Sequence, residues 1–138
     1  MNIIVDLEHT ISNASHRIAM KKNGIEKWRF QNEFKNDRPN DNVIIFMKQL
    51  IATGSYVIIL TSKEEKYRKM VTNWLALHEV EYNQLDMKPN GLEVNAEIFK
   101  LHYLNNCELN IDFALNDVGK ECAMFDNKNI PCLRIEQK

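Results

Sequence analysis

The 138-residue chain is expected to fold as an α/β protein: a three-layer, doubly wound, mainly parallel sheet of five strands. Three observations predict this. Short apolar, β-branched runs alternate with segments of helical periodicity, the pattern of a parallel sheet covered by helices on both faces. Asn2-Ile3-Ile4-Val5, Tyr56-Val57-Ile58-Ile59-Leu60 and the stretch ending Phe113-Ala114-Leu115 are apolar at successive positions, as in strands buried on both sides. Each of these runs ends in polar residues: Asp6, Thr61 and the pair Asn116-Asp117. In a parallel sheet such ends lie along one edge, where ligands bind.

The elements follow in order. After the first strand, Ser15 to Phe34 reads as one or two helices around Gly24, and Arg38-Pro39-Asn40 breaks the chain. Asp41 can N-cap a helix with Ile44, Met47, Leu50 and Ile51 on one face, and Gly54 ends it. Tyr56 to Thr61 is the second strand. Glu64 to His78 reads as an amphipathic helix with Tyr67, Met70, Val71, Trp74 and Leu75 facing inward. Glu81 to Met87 is a weaker strand, closed by the turn Lys88-Pro89-Asn90-Gly91. A helix over Glu93 to Tyr103, a strand over Leu109 to Leu115, a helix over Asp117 to Lys128 and an edge strand over Pro131 to Ile135 complete the chain. No repeat or linker interrupts it, so residues 1–138 are expected to form one domain.

Composition narrows the function classes. The formal net charge is −1, which argues against broad nucleic-acid binding but leaves room for a local basic patch. No apolar run approaches the roughly 20 residues that span a bilayer, and Met1 leads straight into the first strand without a signal peptide. The expectation is a cytoplasmic protein with no membrane partner. Cys107, Cys122 and Cys132 are too few and too scattered for a disulfide framework or a zinc site.

The chemistry concentrates at the strand ends. A carboxylate such as Asp6 can attack phosphorus or bind a divalent cation, with hydroxyl donors from Thr10 and Thr61 for phosphate oxygens. The segment Asp6-Leu7-Glu8-His9-Thr10 resembles motif I, Asp-x-Asp-Gly-Thr, of the haloacid dehalogenase-type (HAD) phosphatases. The likeness is to the phosphatase domain of phage polynucleotide kinases and small phage relatives, and it runs almost the length of the chain. Ser12-Asn13-Ala14-Ser15-His16-Arg17 takes the place of an Ala-Asp-x-x-His-Arg stretch, and Asp37-Arg38-Pro39-Asn40 that of an Asp-x-Pro-Asn turn. Leu60-Thr61-Ser62-Lys63 stands where motif II reads Ser/Thr-Gly-Arg, Met87-Lys88-Pro89-Asn90-Gly91 resembles a Met-Arg-Pro-x-Gly turn, and Asn116-Asp117 occupies the Asp-Asp of motif IV.

The resemblance implies a small helical cap over about residues 12–40 and a Mg²⁺-dependent phosphatase acting on nucleotide or nucleic-acid-end phosphates through an aspartyl-phosphate. It gives Asp6, Glu8 and Thr61 catalytic roles, with Asp6 the nucleophile. Substrate contacts fall to Thr10, His16, Arg17, Ser62 and Lys63, and metal ligands to Asp6, Glu8, Asp117 and Asn116. Four catalytic letters depart from the pattern. Glu8 adds a methylene to the second acid, and His9 replaces a glycine that permits unusual backbone angles. Asn116 exchanges an anionic ligand for a neutral one. At motif III a lysine is required; aligning the helix puts Asn95 there, whereas counting from Met87 favours Lys100. The two are five residues apart and cannot point the same way, which makes Lys100 a poor substitute for Asn95. These departures support an alternative, a catalytically inactive pseudo-phosphatase that binds a phosphorylated ligand or a protein partner. Of the remaining candidates, Lys63, Lys66, Arg68 and Lys69 read as the solvated face of a helix, Trp28 and Trp74 as core, and His78 and His102 as structural.

Overall fold

The computed structural model describes residues 1–137. Its main sheet has five strands, β1 (Asn2–Val5), β2 (Tyr56–Glu64), β3 (Gln84–Lys88), β4 (Phe113–Asn116) and β5 (Cys132–Arg134). They lie in the order β3-β2-β1-β4-β5, and every pairing is parallel. Helices α3 (Asp41–Ala52) and α4 (Arg68–Leu77) carry the chain from β1 outward to β3, and α5 (Ala96–Asn106) and α6 (Gly119–Asn127) carry it back and outward to β5. The order reverses between β1 and β4, which makes that crevice the switch point of a doubly wound sheet.

The consecutive apolar residues of β1 show why both faces are covered. Ile3 and Val5 join a cluster with Val57, Ile59 and Leu115 under Val43 and Met47 of α3 and Val71, Trp74 and Leu75 of α4. Ile4 points the other way, with Ile58, Leu60 and Ala114, against Phe99 of α5 and Phe125 of α6. Each such side chain contributes about 1.5–3 kcal/mol on burial, so the central strands are fixed from two sides. The third and fourth strands begin later than expected, at Gln84 and Phe113 rather than Glu81 and Leu109. Asn83 leaves the ladder by accepting the Val57 amide on its side chain, and Asp112 does the same for Asn2. Gly54 (φ +93°) and Gly91 (φ +77°) take the left-handed conformations their turns require.

Between β1 and α3 the chain makes an excursion: α1 (Ser15–Lys22), α2 (Lys27–Asn32) and a 3₁₀ turn at Glu33–Asn36. A two-residue antiparallel ladder, Ser12 with Pro39 and Asn13 with Arg38, closes its base. Trp28, expected in the core, is 58% exposed here, because α2 is only two turns long and packs through Phe30 and Gln31. Trp74 is buried as expected and donates its indole N–H to the Asp37 carbonyl. All three cysteines are free thiols.

Candidate active site

Asp6 follows Val5, which is paired with Ile59 on one side and Leu115 on the other. Asp6 stands one residue beyond Val5, and Thr61 and Asp117 two residues beyond its partners, so the three meet at the carboxyl edge. They line one small pocket of about 210 Å³ with Glu8, His9, Ser62 and Glu121. Around Asp6 the backbone turns sharply through Leu7–Ile11, and His9 sits at φ +64°. A histidine thus occupies the left-handed position that motif I reserves for glycine, at a cost of about 1–2 kcal/mol. Part of this is offset by its Nδ1, which accepts the Ala14 amide at 3.2 Å and ties the turn to α1. Burial favours the neutral ring and lowers its pKa, the form that this bond needs.

A lysine does stand beside Asp6, and it is Lys100. Its Nζ lies 2.7 Å from Asp6 Oδ1 and 2.6 Å from Glu121 Oε1, with 1% of the side chain exposed. Of the two registers, the count from Met87 that favours Lys100 holds, and the one that puts Asn95 in this place is overturned. Asn95 is the N-cap of α5, outside the helix proper and exposed. Five residues further, about 140° round the helix, the side chain faces the sheet. Glu121 was not legible as a site residue from any motif. It lies in the first turn of α6, whose N-cap Val118 follows Asp117 directly.

Two carboxylates share a single donor. The Thr10 hydroxyl lies 3.2 Å from Asp6 Oδ2 and 3.3 Å from Asp117 Oδ1, yet it has only one proton to give. Burial pushes the Asp6 carboxyl up to about 6, with Lys100 opposing and Asp117 adding to the rise. Burial raises Asp117 as well. Three carboxylates, Asp6, Asp117 and Glu121, thus face one ammonium.

Such a surplus fits a divalent cation. Mg²⁺ commonly takes one or two carboxylates and completes its shell with water and phosphate oxygens. Asp6 and Asp117 are the pair available, and among the described residues no group of three or more His, Cys, Asp or Glu is arranged to hold a metal. The other two expected metal ligands face elsewhere. Asn116 donates to Glu121 Oε1 at 3.1 Å and accepts the Val118 amide at 3.1 Å, so its side chain closes its own loop. Glu8 turns to two cations, with Oε1 3.1 Å from Lys63 Nζ and Oε2 3.4 Å from Arg17 Nη2.

Those two cations also correct the sequence reading. Lys63 is not on a solvated face. A register shift in β2 between Thr61 and Glu64 turns it inward, where it is 3% exposed and also bonds Gln31. Burial lowers its pKa against the opposing pull of Glu8. Arg17, expected at a substrate lip, is wholly buried. Its guanidinium makes two 2.7 Å bonds to Asp37 and lies over the Phe30 and Phe34 rings. His16 stays partly exposed, 3.8 Å from Glu33 and from Asp37. Thr61 accepts the Lys63 amide on its hydroxyl oxygen at 3.1 Å, which leaves its proton free for a ligand. Ser62 lines the pocket beside it.

The Glu8–Lys63 contact explains how a longer acid is accommodated where motif I has aspartate. Shortening it by Glu8→Asp should draw the carboxylate back and cost about 1 kcal/mol. Lys63→Arg in the same chain should recover most of that loss. Urea unfolding of the two single variants and the double variant checks this, with an expected coupling of about 0.5–3 kcal/mol.

Comparison with known proteins agrees with this geometry. The family model for the polynucleotide kinase PNKP phosphatase domain, of the HAD type, matches residues 1–138. Among solved structures, a chain of a Pnkp1/Rnl/Hen1 complex superposes with a TM-score of 0.81 at 22% identity, over 97% of this chain and 45% of that one. A second structure, of the Pnkp1/Rnl/Hen1 RNA repair complex, gives 0.81 at 23% identity over 97% and 42%. The chain therefore spans less than half of the length of either match. A predicted phosphatase from Clostridium acetobutylicum gives 0.68 at 10% identity, over 96% of this chain and 83% of that one. No curated protein matches the chain. With motif I at the end of β1, a buried lysine on its aspartate and a family match across every residue, the chain belongs to the PNKP phosphatase family of HAD-type domains.

Proposed function

We propose that this domain is a Mg²⁺-dependent phosphomonoesterase for nucleotide or nucleic-acid-end phosphates, working through an aspartyl-phosphate on Asp6. The observation that carries the reading is the 2.7 Å contact between Lys100 and Asp6. Two anions, a carboxylate and a phosphate, meet in this reaction. A buried ammonium that both orients the carboxylate and offsets its charge is what the encounter needs. Asp6 attacks phosphorus, the ester oxygen leaves, and water then cleaves the acyl-phosphate. The free hydroxyl proton of Thr61 is placed to meet a phosphoryl oxygen, and Thr10 holds the two carboxylates in register. Asp6 and Asp117 would hold Mg²⁺, which when bound supplies charge neutralisation at the phosphoryl oxygens. Glu8 can serve the leaving oxygen as an acid only after one of its two ion pairs opens.

The pocket's size supports a substrate that enters by its end. About 210 Å³ is below the 300 Å³ or so at which pockets begin to enclose a whole small molecule. The rest of the substrate therefore stays outside. Two of the matched chains are solved within Pnkp1/Rnl/Hen1 complexes, and by that likeness a protein partner forms part of this proposal. None of the described helices is long and apolar enough to cross a membrane.

The inactive-module reading draws on Glu8, both of whose carboxylate oxygens are engaged. Phosphate release from nucleotides and 3′-phosphorylated oligonucleotides, with and without Mg²⁺, separates the two. Metal-dependent release that disappears in Asp6→Asn is the expected result. Release equal to that variant's background, from a folded protein that still binds the oligonucleotides, would establish the module instead.

A further inference from the structure

The pocket at Asp6 is poor in nitrogen donors. Lys63, Arg17 and Lys100 stand behind its walls in ion pairs, and of the side chains that line it only His9 carries a nitrogen. Glu8, the acid that would serve the leaving oxygen, has both carboxylate oxygens against cations, Lys63 at 3.1 Å and Arg17 at 3.4 Å. His9 is bound on one side alone. Its Nδ1 accepts the Ala14 amide at 3.2 Å, which needs a bare nitrogen, so the neutral ring carries its hydrogen on Nε2. Among the described residues Nε2 has no hydrogen-bond partner, and no buried side-chain nitrogen or oxygen among them lacks one. The Nε2–H of this half-buried residue is therefore open, and the space beside it is the pocket.

The geometry points to His9 Nε2–H as a donor to the leaving oxygen of the phosphate ester, in the place that Glu8 cannot take while its two ion pairs stand. This role rests on the phosphatase reading and adds a catalytic residue to it. Phosphoryl transfer runs with the attacking and leaving oxygens roughly in line. Asp6 is at the closed end, 7% exposed, so the leaving oxygen lies away from it, toward the mouth where Ile18 and Val118 are exposed. Ala14, Ile18, Phe30 and Val118 around that mouth have no side-chain donor to offer. In the step, a bond forms from an Asp6 oxygen to phosphorus, the ester P–O bond breaks, and the electron pair leaves on the ester oxygen. The imidazole meets that charge without giving up its hydrogen, and the alcohol takes its proton from bulk water. The Ala14 bond that holds the backbone at φ +64° also fixes the ring, and a donor fixed beforehand needs no reorientation during reaction. Glycine at this position would relieve the backbone and remove the donor.

The test is the leaving-group dependence of kcat/KM for the full chain with Mg²⁺. It compares a nucleoside 3′-monophosphate, whose alkoxide needs a donor, with p-nitrophenyl phosphate, whose phenolate does not. His9→Asn keeps an acceptor for the Ala14 amide and tolerates a positive φ, but its side chain stops short of the Nε2 position. It should lose about 10²-fold on the nucleotide and only about threefold on the aryl ester. Cleavage of the aspartyl-phosphate is common to both esters and cannot produce that difference. His9→Gly, which suits the backbone, should show the same split, and free imidazole should return part of its rate on the nucleotide. Equal losses on the two esters would mark a merely structural residue and overturn the role of His9, with the phosphatase reading left standing. So would a folded variant as active as the wild type on the nucleotide. Absence of turnover on both esters in the wild type would overturn the phosphatase reading and this role with it.

Discussion

Lys100→Met should lower Mg²⁺-dependent phosphate release by about 10²- to 10³-fold, the cost of removing one charge-stabilising donor from an enclosed site. The same change strands Asp6 and Glu121, both buried, without their shared cation. Loss of one partner from a buried ion pair costs about 3–5 kcal/mol of stability, so a fall in turnover alone would be ambiguous. Adding Glu121→Gln removes one stranded charge and should return part of the stability without returning turnover. Asn95→Lys, the repair that motif alignment alone would suggest, should change neither quantity, because that side chain is exposed at the start of α5. Phosphate-release rates and denaturant midpoints for these variants check the set. Restored turnover in Lys100→Met/Asn95→Lys would show that the lysine acts as a diffuse charge rather than at Asp6 Oδ1.

In metal-free buffer, the protein should be more stable near pH 5 than near pH 8. Asp6 is raised to about 6 in the folded state by burial, whereas the unfolded chain holds an aspartate near 3.9. A carboxyl with a raised folded pKa adds stability that is fully present below the unfolded value and lost as pH rises through the folded one. The window is therefore about pH 4 to 6, and at about 1.4 kcal/mol for each pH unit that separates the two values the loss is on the order of 3 kcal/mol. Asp117 is raised by burial too and acts in the same direction. His9, lowered by burial, acts in the opposite one, so the clean measure is the difference between the wild-type and Asp6→Asn stability profiles. Mg²⁺ should stabilise the wild type more at pH 8 than at pH 5 and should do little for the variant. Parallel profiles would mean that the excess negative charge at the site is already neutralised without a cation.

The sheet was legible because its strands are apolar at successive positions and their ends are polar, two signals that depend only on local sequence. The convergence of Asp6, Thr61 and Asp117 followed from topology. What sequence reading missed depends on direction. Lys63 sits in a strand whose ladder slips between Thr61 and Glu64, and a one-residue slip sends a side chain to the opposite face. Lys100 was displaced by an alignment that placed the start of α5 too early. Arg17 was expected at a substrate lip because charge usually lies outside, and nothing near it in sequence revealed Asp37, 20 positions away. The positive φ of His9 was the one backbone feature that a motif letter did foretell.

Asp37 also determines how the excursion between β1 and α3 behaves. It receives Arg17 from α1 and Ser12 from the strand that leaves the catalytic turn, and its carbonyl receives Trp74 from α4. Arg17 in turn reaches Glu8. The helical excursion, which lines the pocket through Ala14, Ile18 and Phe30, is therefore also fastened to the floor of the site and to the core helix beneath it. Melting of this segment would disorder the turn at residues 6–11 in the same step. In this chain the cover is part of the foundation, and a fault in either is felt as a fault in both.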